Sequence, residues 1–98
     1  MPTFVLLSKV SSEGATQVKS LVDTDNEFEV RLKEQCPGVK RVASYALLGA
    51  YDFMHIFEAP DAREAAKVAL LANSFGVVST QTFTAIPFSE FREIVEAL

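Results

Sequence analysis

The sequence contains few of the residues that disulfides, metal sites and phosphate-binding loops require. Its 98 residues include one cysteine, Cys36, and one histidine, and the four glycines are widely separated. A single cysteine cannot form an internal disulfide, and one histidine with one cysteine falls short of the three or four ligands of a zinc site. Separated glycines do not form a phosphate-binding loop, and no serine lies in a nucleophile elbow. We therefore expect no metal, no cofactor and no serine hydrolase activity.

Basic residues are too few and too dispersed for nucleic-acid binding. Nine lysines and arginines stand against thirteen acidic residues, which gives a net charge of −4, and Lys40 and Arg41 form the only adjacent basic pair. Nucleic-acid binding needs such residues to neutralise phosphates, so we expect none, and we interpret Lys40 and Arg41 as a solvated strand start. Long apolar runs and a basic leader are also lacking, which predicts no membrane association and a cytoplasmic protein.

The residues that are present predict one globular domain over residues 1–98. Hydrophobic residues make up 49% of the chain and charged residues 22%, which is a typical globular balance. Runs of β-branched and aromatic residues predict strands at 3–10, 39–48, 51–59 and 77–86. Helical spacing of apolar residues predicts helices at 12–36, with a break near 23–26, at 60–75 and at 88–98.

The order of these elements is typical of the ferredoxin-like fold. Strand, helix, strand, strand, helix and strand form the split βαβ arrangement, an α+β fold with a four-stranded antiparallel sheet, here followed by an extra C-terminal helix. We expect a tight connection at Gly49 and Ala50 between the second and third strands. The strands carry apolar residues on both faces while helices cover one, so the open face predicts a homodimer of facing sheets.

The segment "LLGAYDFMHIFEAPD" at residues 47–61 resembles the signature of the GYD-domain family. Gly49, Tyr51 and Asp52 match the three residues that give the family its name, with Ala50 at an inserted position. The resemblance extends from "PTFVLLSKV" through "VVSTQTFTAI" to "FSEF", nearly the whole chain. It implies a ferredoxin-like fold of the dimeric α/β-barrel type, and no agreed activity.

Two further groups with this architecture suggest alternative functions. "GAYDFMHIFEAPD" followed by "GVVSTQT" is similar to the effector-binding domain of leucine-responsive (Lrp/AsnC-type) regulators. That resemblance implies an amino-acid site at a subunit interface and, since no helix-turn-helix precedes it, a stand-alone sensing domain. Cofactor-free monooxygenases and muconolactone-isomerase-like enzymes match in architecture only, which is weak support for an enzyme.

Four polar residues around the hairpin are the candidates for a ligand site. Tyr45, Tyr51, Asp52 and His55 lie on or next to the second and third predicted strands. His55 is the natural proton-transfer candidate because its ordinary pKa lies near neutrality. Lone histidines and tyrosines on strands are more often ordinary structural residues, and an aspartate that closely follows a hairpin glycine, as Asp52 follows Gly49, more often has a role in the turn.

The hairpin register decides what faces His55. His55 lies opposite either Ser44 or Tyr45, and periodicity does not choose between them. With Tyr45 as its neighbour, His55 becomes a candidate base and Tyr45 an orienting donor for a small aromatic substrate. We expect a homodimeric module that binds a small organic molecule without catalysis, with such an enzyme, an amino-acid sensor or a purely structural assembly protein as alternatives.

Overall fold

A computed structural model describes residues 1–12 and 18–98 of the chain. Its strands are β1 (Thr3–Val10), β2 (Lys40–Ala46), β3 (Phe53–Glu58) and β4 (Val78–Ala85). Its helices are α1 (Leu21–Gln35), α2 (Ala62–Asn73) and α3 (Phe88–Glu96), and a short 3-10 helix at Val18–Ser20 precedes α1. The predicted helical segment from residue 12 lies in part outside the described residues, since it includes residues 13–17.

The strands form a single antiparallel sheet that confirms the predicted fold class. Their order is β2-β3-β1-β4, and every neighbouring pair is antiparallel. The two central strands are therefore β1 and β3, and β2 and β3 form a hairpin. This is the α+β, ferredoxin-like arrangement that the order of elements predicts.

The core lies between one face of the sheet and the helices α1 and α2. Phe4 and Leu6 of β1 and Phe57 of β3 are buried, and Leu32 of α1 and Val68 of α2 pack in the same cluster. The rings of Phe4 and Phe57, which are paired across the two strands, stack with centroids 5.7 Å apart. Successive strand residues point to opposite faces, so the intervening positions of β1 and β3 form the open face of the sheet.

The first long helix has no break at residues 23–26, so that prediction was wrong. α1 continues through the segment "DTDN", whose side chains favour a helix start because they compete for backbone groups. In the structure the Thr24 hydroxyl donates to the carbonyl of Ser20, four residues earlier, at 3.1 Å. The Asp25 carboxylate accepts from Arg41 at 3.0 Å instead of capping a helix. The ion pair with Arg41 thus engages the Asp25 carboxylate, which the local pattern predicted to compete for backbone groups and to cap a new helix.

The connection between β2 and β3 is also longer than predicted. The strands end at Ala46 and resume at Phe53, and the loop between them is closed by a hydrogen bond from the Leu47 amide to the Asp52 carbonyl, 2.8 Å long. The Asp52 amide donates to the carbonyl of Ser8, which draws the loop toward β1. Gly49 has a φ of 153°, a conformation that residues with a side chain rarely adopt.

The boundaries of α2 agree with the predicted capping residues. Asp61 precedes the helix and its carboxylate accepts from the amide of Glu64 at 2.9 Å. Gly76, just beyond the end of α2, has a φ of 75°. No helix in the described ranges, 1–12 and 18–98, is both long and apolar enough to span a bilayer.

Candidate functional site

A cleft of about 330 Å³ lies between the sheet and the helices α1 and α2. Most of its lining is apolar, with Phe53 and Phe57 contributed by β3, Phe28 by α1, and Val68 and Ala72 by α2. Its polar residues include Asp25, Arg41, Ser44, Tyr45 and His55. Ligand sites in proteins are typically such apolar clefts with a small number of polar groups.

Ser44, not Tyr45, is the residue opposite His55. The register of the hairpin pairs Ser44 with His55 and Tyr45 with Met54. The Ser44 Oγ lies 2.8 Å from His55 Nδ1, which is a hydrogen-bond distance. The structure thus decides the register that periodicity left open, and it gives the histidine a hydroxyl partner.

A β-bulge in β2 brings Arg41 to the same face as Ser44. The pairing of β2 with β3 shifts between Arg41 and Ala43, which leaves Val42 as the extra residue. In a regular strand without a bulge, Arg41 and Ser44 would point to opposite faces because they are three positions apart. The bulge places both side chains on one face, beside His55: Arg41 Nε is 3.2 Å from Ser44 Oγ and Arg41 Nη2 is 3.0 Å from His55 Nδ1.

Arg41 also joins the sheet to α1 through two ion pairs. Its Nη2 donates to Asp25 at 3.0 Å, and its Nη1 donates to Glu29. The guanidinium carbon lies 5.6 Å from the centre of the Phe28 ring on the same helix. Burial alone would lower the pKa of Arg41, but the bonds to Glu29 and Asp25 outweigh it and raise the pKa. Arg41 therefore stays charged and holds α1 against the edge of the cleft.

These contacts determine the tautomer of His55. An arginine can only donate hydrogen bonds, so Nδ1 of His55 must present its lone pair to Arg41. The Ser44 hydroxyl then also donates to Nδ1, while it accepts from Arg41 Nε. The neutral imidazole consequently carries its proton on Nε2.

The same environment disfavours the protonated form of His55. Burial lowers its pKa, and the positive charge of Arg41 lowers it further, while Asp25 and Glu29 act in the opposite direction. We expect an NMR titration of the His55 ring protons to give a pKa below the ordinary 6.5. Because protons then bind preferentially to the unfolded chain, stability is retained above about pH 6.5 and falls as the pH drops through the lowered folded-state pKa. A measured pKa at or above 6.5 would contradict this environment.

The other three predicted site residues lie apart from His55. Tyr45 lines the edge of the cleft, but it is 53% exposed and alternation puts it on the face opposite to Ser44. The Tyr51 hydroxyl donates to Oε1 of Gln81 in β4 at 2.6 Å. Asp52 Oδ2 accepts from the amide of Val10 at 2.7 Å, at the end of β1. Tyr51 and Asp52 are therefore not part of the cleft lining, and Asp52 ties the loop to the sheet.

Neither Cys36 nor a metal cluster adds chemistry to the described part of the chain. Cys36 is buried at the end of α1, and burial raises the pKa of its thiol, with a smaller contribution from Glu64 against an opposing one from Lys67. A buried thiol with a raised pKa is a poor nucleophile. Within residues 1–12 and 18–98, no three His, Cys, Asp or Glu side chains are grouped as metal ligands would be.

Comparison with known protein families identifies one family whose model matches this chain. The GYD domain family model matches residues 4–95, nearly the entire chain. This chain belongs to the GYD family. The GYD chain is 39% identical over 90 residues to a protein of Thermus thermophilus named glutamine synthetase and cystathionine beta-lyase binding protein, covering 92% of this chain and 94% of that one. No solved structure is significantly similar to it.

Sequence reasoning about this GYD domain missed the arginine at its cleft. The interpretation of the adjacent basic pair Lys40 and Arg41 as a solvated strand start is wrong for Arg41, whose side chain is 18% exposed and forms two ion pairs. A bulge that inserts one residue has no reliable signature in a single sequence, so the face of Arg41 was not predictable. The available signal was the pair of acidic residues one helical turn apart, Asp25 and Glu29, a like-charge pair that a cation between the helix and the sheet stabilises.

Proposed function

We propose that this GYD protein is a homodimeric binding module without catalytic activity of its own, and that it binds a small organic molecule in the cleft between the sheet and the helices. The observation that carries the proposal is the cleft itself, a mostly apolar space with one connected polar cluster formed by Asp25, Arg41, Ser44 and His55. Its volume of about 330 Å³ is about twice that of an apolar cavity known to hold benzene. The expected occupant therefore has one or two small rings or a comparable aliphatic body.

The arrangement at His55 supports binding over catalysis. A general base must present an unprotonated nitrogen to its substrate. The lone pair of His55 Nδ1 is instead engaged by Arg41 and Ser44. Tyr45, the proposed orienting donor of the alternative enzyme, pairs with Met54 rather than with His55. The imidazole is thus positioned as a fixed hydrogen-bond donor.

Ligand binding in the cleft can be tested by filling it. Ala72 of α2 lines the cleft, whereas Ala66 on the same helix is exposed and does not. We expect small aromatic molecules to shift the amide signals of cleft residues in a two-dimensional NMR titration of the wild type. Ala72→Phe should abolish these shifts, and the control Ala66→Phe should retain them. Equal shifts in both variants, or shifts confined to the outer surface, would refute the proposal.

The open face of the sheet supports the homodimer. Leu7, Met54 and Ile56 of the central strands and Phe83 of β4 lie on this face, and none of them is buried in the single chain. The chain exposes 6616 Å², against about 5,500 Å² expected for a compact protein of its mass. The excess of about 1,100 Å² exceeds the roughly 800 Å² that each partner contributes to a standard interface. The excess is a property of the whole chain, and the apolar open face of the sheet is one part of it that a facing second copy would cover.

A charge placed in the centre of the open face should separate the dimer. We expect light scattering coupled to size exclusion to show a wild-type dimer at micromolar concentration and a Leu7→Lys monomer, because two lysines would be buried without partners. Leu48 is fully exposed in the loop before β3, so Leu48→Lys serves as the control and should remain dimeric. A monomeric wild type would contradict this part of the proposal.

A second candidate function is binding to a partner protein, which the name of the Thermus relative favours. Helix α3 offers a surface for such a partner, since none of its residues is buried and Phe88, Phe91 and Ile94 are exposed. The test is analytical ultracentrifugation of the purified protein with glutamine synthetase and with cystathionine beta-lyase, both taken from the organism that encodes this chain. Co-sedimentation that Phe91→Asp removes would support this function, and separate sedimentation with both enzymes would refute it.

A further inference from the structure

Arg41 has almost no hydrogen-bonding capacity left for a ligand. A guanidinium has five N–H groups. The two on Nη2 are directed to Asp25 and His55, one on Nη1 to Glu29, and the one on Nε to Ser44. Recognition of an organic carboxylate by arginine normally uses two parallel N–H groups. No such pair remains, so the arginine at this cleft is not built to receive an anion.

The formal charge at this edge of the cleft is negative. Arg41 contributes one positive charge, while Asp25 and Glu29 contribute two negative charges. His55 is neutral at physiological pH because its pKa is lowered by burial and by Arg41. Asp25 itself lines the cleft. A carboxylate or phosphate would therefore lose its hydration and meet a carboxylate without gaining a cation.

One donor of this cluster remains available to a ligand. Within the described residues His55 Nε2 has no hydrogen-bond partner, whereas Nδ1 has two. Since Nδ1 is an acceptor, Nε2 carries the proton. His55 lines the cleft, so its N–H is a single neutral donor beside an apolar space.

We propose that the cleft takes an uncharged, largely apolar molecule that carries one carbonyl-type acceptor for the Nε2–H of His55. This inference rests on the proposed binding function and narrows it to a ligand class. It excludes organic acids, phosphates and zwitterionic amino acids as preferred ligands. Arg41 and Ser44 act as positioning residues, because they fix the tautomer and orientation of His55.

Three probes of the same shape and different charge test the ligand class. Trans-cinnamamide is neutral with a carbonyl acceptor, trans-cinnamate is an anion, and trans-cinnamylamine is a cation. In NMR titrations of the wild type at neutral pH, we expect the amide to bind at least about tenfold more tightly than cinnamate, because the anion would be buried beside Asp25 without a cation. We also expect the amide to bind more tightly than cinnamylamine, because the amine has no acceptor and leaves the N–H of His55 unpaired. Chemical-shift changes at Phe53, Val68 and Ala72 would locate the probe in the cleft.

Removing the donor tests the role assigned to His55. His55→Leu is expected to weaken cinnamamide binding about tenfold, which corresponds to one lost hydrogen bond. Tyr51→Phe removes a hydroxyl that bonds to Gln81 outside the cleft, so it should leave the affinity unchanged. If His55→Leu does not fold, long-range nitrogen spectra of the wild type give an independent measurement. They should show a protonated Nε2 and an unprotonated Nδ1, and the reverse tautomer would overturn the inference.

The outcomes separate this inference from the function on which it rests. Cleft shifts with a preference for cinnamate or cinnamylamine would retain cleft binding and overturn the neutral ligand class. Absence of cleft shifts with all three probes would overturn the binding function and the inference together. Preferential binding of cinnamamide that depends on His55 would support both.

Discussion

Arg41→Leu is expected to raise the pKa of His55 from its lowered value and to reduce the free energy of unfolding by about 1–3 kcal/mol. The substitution removes the positive charge next to Nδ1 and leaves the Asp25 and Glu29 carboxylates without their shared partner. The Arg41 side chain is only 18% exposed, so solvent screens these interactions less than in a surface pair. An NMR titration of His55 and urea denaturation measure the two effects.

Arg31→Leu is the matched control for this experiment. Arg31 also forms an ion pair with a glutamate of α1, Glu27, at 2.8 Å, but both side chains are about half exposed and four residues apart on one helix. Such pairs contribute less than about 1 kcal/mol, so the control should leave the pKa of His55 unchanged and cost little stability. Equal effects of the two substitutions would show that Arg41 does not organise the cleft edge.

The conservative change Arg41→Lys distinguishes charge from geometry. Lysine keeps the positive charge but replaces a planar fork of five donors by one ammonium group. It can contact Asp25 or Glu29, but it cannot at the same time donate to Ser44 and to Nδ1 of His55 as the guanidinium does. We therefore expect Arg41→Lys to be more stable than Arg41→Leu but less stable than the wild type, and the tautomer of His55 to be no longer fixed.

The fold was predictable because its determinants repeat along the chain. Buried alternate residues in β1, such as Phe4 and Leu6, and the capping pair Asp61 and Glu64 are local patterns that the tertiary structure leaves intact. The predicted break in α1 failed for the opposite reason. Asp25 has a strong local preference for caps, but its carboxylate is bound by Arg41, sixteen residues away in sequence.

The candidate site was less predictable because it depends on pairing between strands. His55 was identified from its chemistry alone, yet its neighbours follow from a register that one sequence does not define. The bulge at Val42 then reverses the face of every residue before it in β2. A single inserted residue thus determines whether Arg41 faces solvent on the open side or fixes the tautomer of His55. Short-range patterns carry no information on that choice.

Phe57→Ala is expected to lower the free energy of unfolding by about 3–5 kcal/mol, the largest loss among the substitutions considered. Phe57 is 2% exposed, stacks on Phe4 and packs in the cluster that joins the sheet to α1 and α2. Its removal loses the transfer free energy of the ring and leaves a cavity that the surrounding strands cannot fill. For a domain of this size, whose total stability is about 5–15 kcal/mol, that is a large fraction.

Phe88→Ala provides the comparison, because Phe88 begins α3 and is 69% exposed. This substitution deletes the same ring where it is already in contact with water, so we expect the free energy of unfolding to change by no more than about 0.5 kcal/mol. Urea denaturation should show a lower midpoint for Phe57→Ala with an unchanged slope, and the wild-type midpoint for Phe88→Ala. Equal midpoints for the two variants would contradict the packing of the sheet against α1 and α2. Since Phe57 also lines the cleft, they would remove the structural basis of the proposed ligand site as well.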